Sequence, residues 1–110
     1  MKVVVNKKEY ELKFGLDFIN ALDKKYYIEE EGIKLGQGLV YVVIQFELGN
    51  PLVLLDLMVA GGVKEKVEEI KRYIEGRVDI EAVMNEFEEG LKKSSVVRFS
   101  MKKLGLVDNN

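Results

Sequence analysis

The fold is decided by one mainly apolar stretch, residues 35–60, which reads LGQGLVYVVIQFELGNPLVLLDLMVA. Between residues 39 and 60 the only charged side chains are Glu47 and Asp56. Those twenty-two residues would be long enough to cross a membrane. However, both carboxylates and a central chain break would then lie in hydrocarbon, where charges are costly. We therefore predict a soluble core or a subunit interface, and no membrane span.

The break in this stretch is Gly49-Asn50-Pro51. A glycine suits the left-handed residue that ends a helix, an asparagine can cap the next helix, and a proline fits the first helical turn. The stretch therefore predicts two short helices folded against each other, over residues 38–48 and 51–60. Two glycines at positions 61 and 62 end the second helix.

Length and composition indicate one soluble domain. The chain has 110 residues, 47% of them apolar and 33% charged, which is ordinary for a globular protein. We predict a single domain over residues 1–104 and a frayed tail over residues 105–110. The net charge of −2 and the scattered pairs of lysines argue against nucleic acid as a partner.

The absence of cysteine and histidine removes several kinds of chemistry. Without cysteine the chain has no disulfide, thiolate metal site or cysteine nucleophile, and without histidine it lacks the commonest general base and zinc ligand. The first residues, MKVVVNKKEYE, lack the long apolar run of a signal peptide. The expected location is therefore the cytoplasm.

The N-terminal third predicts a β-hairpin followed by a helix. Residues 2–5 and 9–14 alternate between apolar and polar side chains, with Asn6 in the turn and Lys7 where a glycine is usual. A two-stranded hairpin is marginal alone, so it should pack on helices. The next helix is predicted over residues 16–27, and the acidic run at residues 29–31 predicts a solvated loop.

The C-terminal half predicts two more helices, over residues 64–75 and from the capping residue Asp79 to about residue 93. From Ser94 onwards, alternation of Val97, Phe99 and Met101 with polar residues predicts a short strand or an ordered tail. The fold class is thus α+β, mainly α: an N-terminal β-hairpin packed on a bundle of about five short helices.

No catalytic, cofactor-binding or metal-binding residue is predicted. Gly36-Gln37-Gly38 precedes a helix but lacks the rest of a nucleotide-binding fingerprint, so it favours a plain turn. The glutamate runs at residues 29–31 and 86–89 lack the spacing of a calcium loop. Serines have no histidine to activate them. We therefore expect no enzyme and no cofactor.

The remaining feature is the apolar helix pair itself. A helix that is apolar on all sides should be buried on all sides, which is difficult in a domain of this size. Either the second helix is a central core helix, or one of its faces meets another chain. The candidate residues for self-association or client binding are Phe46, Leu48, Leu52, Leu55 and Val59.

Four motifs stand out in the first half of the chain: VNKKEYELKFG at residues 5–15, LDKKY at 22–26, GIKLGQGL at 32–39 and the Gly-Asn-Pro break. In these motifs the chain resembles the tail assembly chaperones of long-tailed phages and prophages of Gram-positive bacteria. The resemblance is specific over residues 3–51 and general beyond them. Lys7 and Tyr27 depart from the family pattern, which usually has glycine at both positions.

The resemblance implies a non-enzymatic role. Such chaperones bind the long helical tape-measure protein and keep it soluble until tail-tube subunits polymerise around it. They associate into homo-oligomers, act in the host cytoplasm and are absent from the mature virion. The alternatives are a small cytoplasmic adaptor unrelated to phage tails and, with less support, a small ligand-binding protein, which would need a convergent polar pocket.

Overall fold

The computed structural model describes residues 1–105. Over that range the chain forms two antiparallel β-hairpins and six helices. In chain order the elements are β1 (Lys2–Val5), β2 (Lys8–Glu11), α1 (Leu16–Lys25), β3 (Tyr27–Glu30), β4 (Ile33–Gly36), α2 (Gly38–Glu47), α3 (Leu52–Ala60), α4 (Val67–Glu75), α5 (Ile80–Lys93) and α6 (Ser95–Lys103). The α+β, mainly α class is confirmed. Of the predicted frayed tail, only Gly105 lies within the described residues.

Helix α3 lies at the centre of the core. Val53, Leu54, Leu57 and Met58 are completely buried there, and each such side chain contributes about 1.5–3 kcal/mol of apolar burial. The helix packs against α1, α2 and α4. The apolar stretch therefore does form the middle of the fold, as two helices joined at the predicted break.

The β1–β2 hairpin covers one side of this core. Val3 and Val5 point inward and are buried. Asn6 and Lys7 make the turn with φ of 52° and 64°, as a two-residue type I′ turn requires. The backbone N–H of Lys13 then donates to the carbonyl of Gly61 at 3.0 Å, which fastens the hairpin to the end of α3.

Phe14 connects the hairpin to the C-terminal helices. Its ring lies edge-on to that of Phe18, with centroids 4.9 Å apart. A side chain at Gly90 of α5 would meet the Phe14 ring, so this glycine permits the close packing. The hydroxyl of Ser94 donates to the Phe14 carbonyl and accepts from the N–H of Val97, which begins α6.

The predicted solvated loop at residues 29–31 is wrong in its secondary structure. Tyr27–Glu30 and Ile33–Gly36 form an antiparallel hairpin around Glu31 and Gly32, whose φ values of 50° and 79° make a second two-residue turn. Although every residue of the hairpin is exposed, its backbone is paired. The turn pair Glu-Gly allows this pairing because glycine adopts positive φ without steric cost.

The predicted strand or tail after Ser94 is also wrong, because this segment is helix α6. Val97 and Met101 are buried, and they are four residues apart as on one helix face. Phe99, which alternation would place beside them, is exposed. A capping hydroxyl and the basic residues of the last turn favour the helix.

The other helix predictions are confirmed with shifts at their ends. Helix α1 ends at Lys25, two residues early, because Tyr26 is extended and Tyr27 begins the second hairpin. Helix α4 begins at Val67, three residues late, because its N-cap residue Lys66 is extended and Glu65 before it lies in a bend. Its carboxylate accepts hydrogen bonds from Tyr10 and Asn6 of the first hairpin.

Candidate interaction surface

Three of the five candidate residues lie on the outside of the α2–α3 pair. Leu48, Leu52 and Val59 are 72%, 61% and 52% exposed. Phe46 and Leu55 are half-buried and pack against the core. The structure thus separates the set into exposed side chains that are free to meet another molecule and side chains that partly support the fold.

Helical spacing aligns the exposed apolar side chains along the outer side of each of the two helices. Leu52, Leu55 and Val59 recur at intervals of three and four residues along the outer side of α3. Ile44, which the sequence prediction missed, is exposed on α2 one turn before Leu48. We call these five side chains the α2–α3 apolar face.

The turn between the two helices holds this face in position. Gly49 has a φ of 66°, in the left-handed region. The side-chain oxygen of Asn50 accepts from the N–H of Leu52 at 3.1 Å, and its amide donates to Gln45 at 2.8 Å. The predicted cap is therefore present. A surface ordered before binding loses less entropy when it binds.

The one charge on α3 is used inside the fold. Asp56 is 8% exposed and accepts from the ammonium of Lys25 at 2.5 Å and the hydroxyl of Tyr26 at 2.8 Å. The Tyr26 ring stacks on Tyr41 of α2 with centroids 3.7 Å apart. Burial raises the pKa of both tyrosines, so they stay neutral hydrogen-bonding groups. The exposed side of α3 consequently carries no charge.

A second apolar surface lies on the β3–β4 hairpin. The register pairs Ile28 with Leu35 and Glu30 with Ile33, which puts Ile28, Ile33 and Leu35 on the same side of the two strands. On the other side the Lys34 ammonium lies 4.9 Å from the centre of the Tyr27 ring. One face of the hairpin thus carries the contact between Lys34 and Tyr27, and the other carries three exposed apolar side chains together with Glu30.

Two grooves cross the described surface. One, of about 300 Å³, lies between α1, the base of β4, α2 and α6, and we call it the α1–α2–α6 groove. Its lining includes Ile19, Asp23, Leu39, Phe99, Lys103 and Leu104. The other, of about 800 Å³, runs between the first hairpin and α5, with Leu12 and Phe14 on its floor and Glu86, Glu89 and Lys93 at its edge.

The glycine turn before α2 serves packing. The N–H of Gly38 donates to the carboxylate of Asp23 at 2.9 Å, so that amide already has an anionic partner. A side chain at Gly36 would collide with Asp23, and one at Gly38 would collide with Leu22. These glycines therefore let the second hairpin leave the body close against α1.

Over residues 1–105, no group of three or more acidic side chains is arranged to hold a metal ion. Among the helices of the same range, none combines the length and apolar character needed to span a bilayer.

These features define a small, mainly helical α+β protein with two exposed apolar surfaces. The family model described as "Phage tail assembly chaperone protein, TAC" matches residues 2–105. That match covers nearly the whole chain, so the chain belongs to the phage tail assembly chaperone family. No match was found to a curated protein or to a solved structure.

Proposed function

We propose that this protein binds the tape-measure protein of a phage tail and keeps it soluble while tail-tube subunits polymerise around it. It does so without catalysis, as a homo-oligomer in the cytoplasm of a Gram-positive host, and leaves before the virion is complete. Membership of the tail assembly chaperone family supports a role in tail assembly.

The observation that carries the proposal is the α2–α3 apolar face. Leu48, Leu52 and Val59 are exposed on helices that the core holds in place. A long helical client with apolar stripes aggregates in water unless those stripes are covered, and a rigid apolar helix face can cover them. The absence of charge on this side of α3 lowers the cost of removing water from the contact.

A co-expression experiment tests the proposal. The chain is produced with the tape-measure protein of the same tail gene cluster, and the soluble fraction of the client and its co-purification are measured. The variant Leu52→Asp/Val59→Asp changes two side chains that are more than half exposed. Removing this apolar contact should cost about 2 kcal/mol of binding, or ~30-fold in affinity.

The matched control is Val78→Asp, which places the same acid on an exposed valine in the loop between α4 and α5. Wild type and the control should both solubilise the client, and the double variant should not. Leu55→Asp is a poorer test, because Leu55 is half-buried and its loss would also disturb the core. If the double variant solubilises the client as well as wild type does, the proposed face is wrong.

A further inference from the structure

We propose that the β3–β4 hairpin of one copy of this chain docks in the α1–α2–α6 groove of the next copy. This inference rests on the self-association that is part of the proposed function and assigns it to a particular pair of surfaces. It leaves the α2–α3 apolar face to the client.

The hairpin needs a cover that the described chain does not supply. An isolated two-stranded sheet is marginal in water unless its apolar face packs on something. Here Ile28, Ile33 and Leu35 share one face and all are exposed, with Ile33 at 63%. The backbone is nevertheless held at its base, where the N–H of Gln37 donates to the carbonyl of Tyr26 at 2.8 Å.

The groove offers a matching apolar surface. Ile19 of α1 and Leu39 of α2 form part of its lining. Phe99 and Leu104 lie on the α6 side and are 62% and 52% exposed. Large apolar side chains left open along a concave surface are typical of a binding site for another apolar group.

Charge complementarity selects the hairpin as the occupant. The hairpin has three glutamates at positions 29–31 and a single lysine, Lys34. Helix α6 has Arg98, Lys102 and Lys103 and no acidic residue. Lys103 belongs to the groove lining itself. The groove lining also includes Asp23, whose carboxylate already accepts a hydrogen bond from the N–H of Gly38. The glutamates of the hairpin would therefore meet Lys103 at the groove and the other basic side chains of α6, which favours the hairpin as the occupant.

The occupant must come from a different copy. Gly36, at the base of β4, is part of the groove wall, and the strands carry the tip away from it by about 13 Å at 3.3 Å per residue. A chain cannot return its own tip to a groove at its own base. Because donor and acceptor surfaces differ, the contact is heterologous, and it generates a ring or an open spiral of copies.

The test is the solution mass, measured by light scattering over a tenfold concentration range. Wild type should form multimers, whereas Ile33→Asp and Phe99→Asp should each be monomeric, with association weakened on the order of a hundredfold. An equimolar mixture of the two variants should form one-to-one dimers. In that mixture the intact groove of one variant accepts the intact hairpin of the other, and no further copy can add.

Val78→Asp is the matched control and should remain multimeric, while circular dichroism melts confirm that every variant is folded. A second measurement reverses one charge on each surface. Glu30→Lys and Lys103→Glu alone should weaken association, and the two together in one chain should restore it. The proposal is overturned if Ile33→Asp stays multimeric, or if the mixture of variants does not dimerise.

A wild-type chain that is monomeric at all concentrations would overturn this proposal and the self-association with it. The proposal that the α2–α3 apolar face binds the client would still be judged separately, by the co-expression experiment. If the chain forms multimers but does not solubilise the client, the client-binding proposal fails and the docking of the hairpin in the groove stands.

Discussion

Replacing Lys7 with glycine should stabilise the protein. Lys7 is held with φ of 64° in the left-handed region, which costs a residue with a side chain about 1–2 kcal/mol. Glycine removes that cost but has more freedom in the unfolded chain, which offsets about 0.5–1 kcal/mol. We therefore expect a net gain of about 0.5–1 kcal/mol, or a rise in Tm of about 2–6 °C for a domain of this size.

Urea and thermal unfolding measure this change, and two controls isolate its cause. Lys7→Ala removes the same charge and the same long side chain but keeps the Cβ atom, so it should leave stability nearly unchanged. Lys8→Gly places glycine one residue later, in strand β2, and should destabilise by about 0.5–1 kcal/mol. If Lys7→Gly destabilises, or if Lys7→Ala stabilises equally, backbone strain at this turn is not the reason.

Two further changes test contacts that hold the helices in place. Hydrogen bonds from Tyr10 and Asn6 hold the pKa of Glu65 below its ordinary value of 4.5. Their contribution to stability is therefore complete above pH 4.5 and is lost as the pH falls through the lower folded value, so Tyr10→Phe should flatten the acid side of a plot of Tm against pH. Asp79 accepts from the N–H of Ala82 at 3.1 Å at the start of α5. Asp79→Ala should cost about 1 kcal/mol in urea unfolding, whereas Asp79→Asn, which keeps the acceptor, should cost much less. An equal loss in both variants would contradict the capping role.

The helices that the sequence predicts well are those with strong end signals. Helices α2 and α3 agree with prediction to within a residue, because Gly49-Asn50-Pro51 ends one and begins the other. Helix α5 agrees because Asp79 caps it and its apolar residues keep one helical period. In both cases a local backbone requirement and the apolar pattern indicate the same boundary.

The segment of helix α6 is predicted as a short strand or an ordered tail because its apolar positions fit two periods at once. Val97 and Met101, four residues apart, lie on one face of a strand and also on one face of a helix. Phe99 lies between them in the sequence and makes apolar and polar residues alternate as in a strand, although its side chain is exposed. Ser94 before the segment and Lys102 and Lys103 at its end were the signals for a helix.

The sequence does not predict the β3–β4 hairpin, because of its three glutamates. Acidic residues disfavour strands, and the run at positions 29–31 obscured the apolar pairs on both sides of it. The available signal was Glu31-Gly32 between two short apolar segments, since a two-residue turn that ends in glycine suits a hairpin.

The α2–α3 apolar face could be predicted only in part. Helix α3 is apolar all round, so its sequence contains no polar side that would tell inside from outside. Leu52 and Val59 were predicted as candidates on spacing alone, and Ile44 was not distinguished from the buried Val42 and Val43. Exposure depends on where α1 and α4 pack, and that is set by contacts distant in sequence.

Helix α2 connects the α1–α2–α6 groove with the α2–α3 apolar face. Leu39 near its start belongs to the groove, and Ile44 and Leu48 near its end belong to the α2–α3 apolar face. Each copy that joins a ring or spiral through this heterologous contact would therefore add one α2–α3 apolar face at a fixed repeat. When several weak apolar contacts are held together, binding at one of them raises the effective concentration of the others for a long client.

On this reasoning the monomeric variants Ile33→Asp and Phe99→Asp should keep their α2–α3 apolar face yet hold the tape-measure protein less tightly than the multimer does. Co-purification of the client with each variant would show it, and equal retention by monomer and multimer would mean that assembly does not assist client binding.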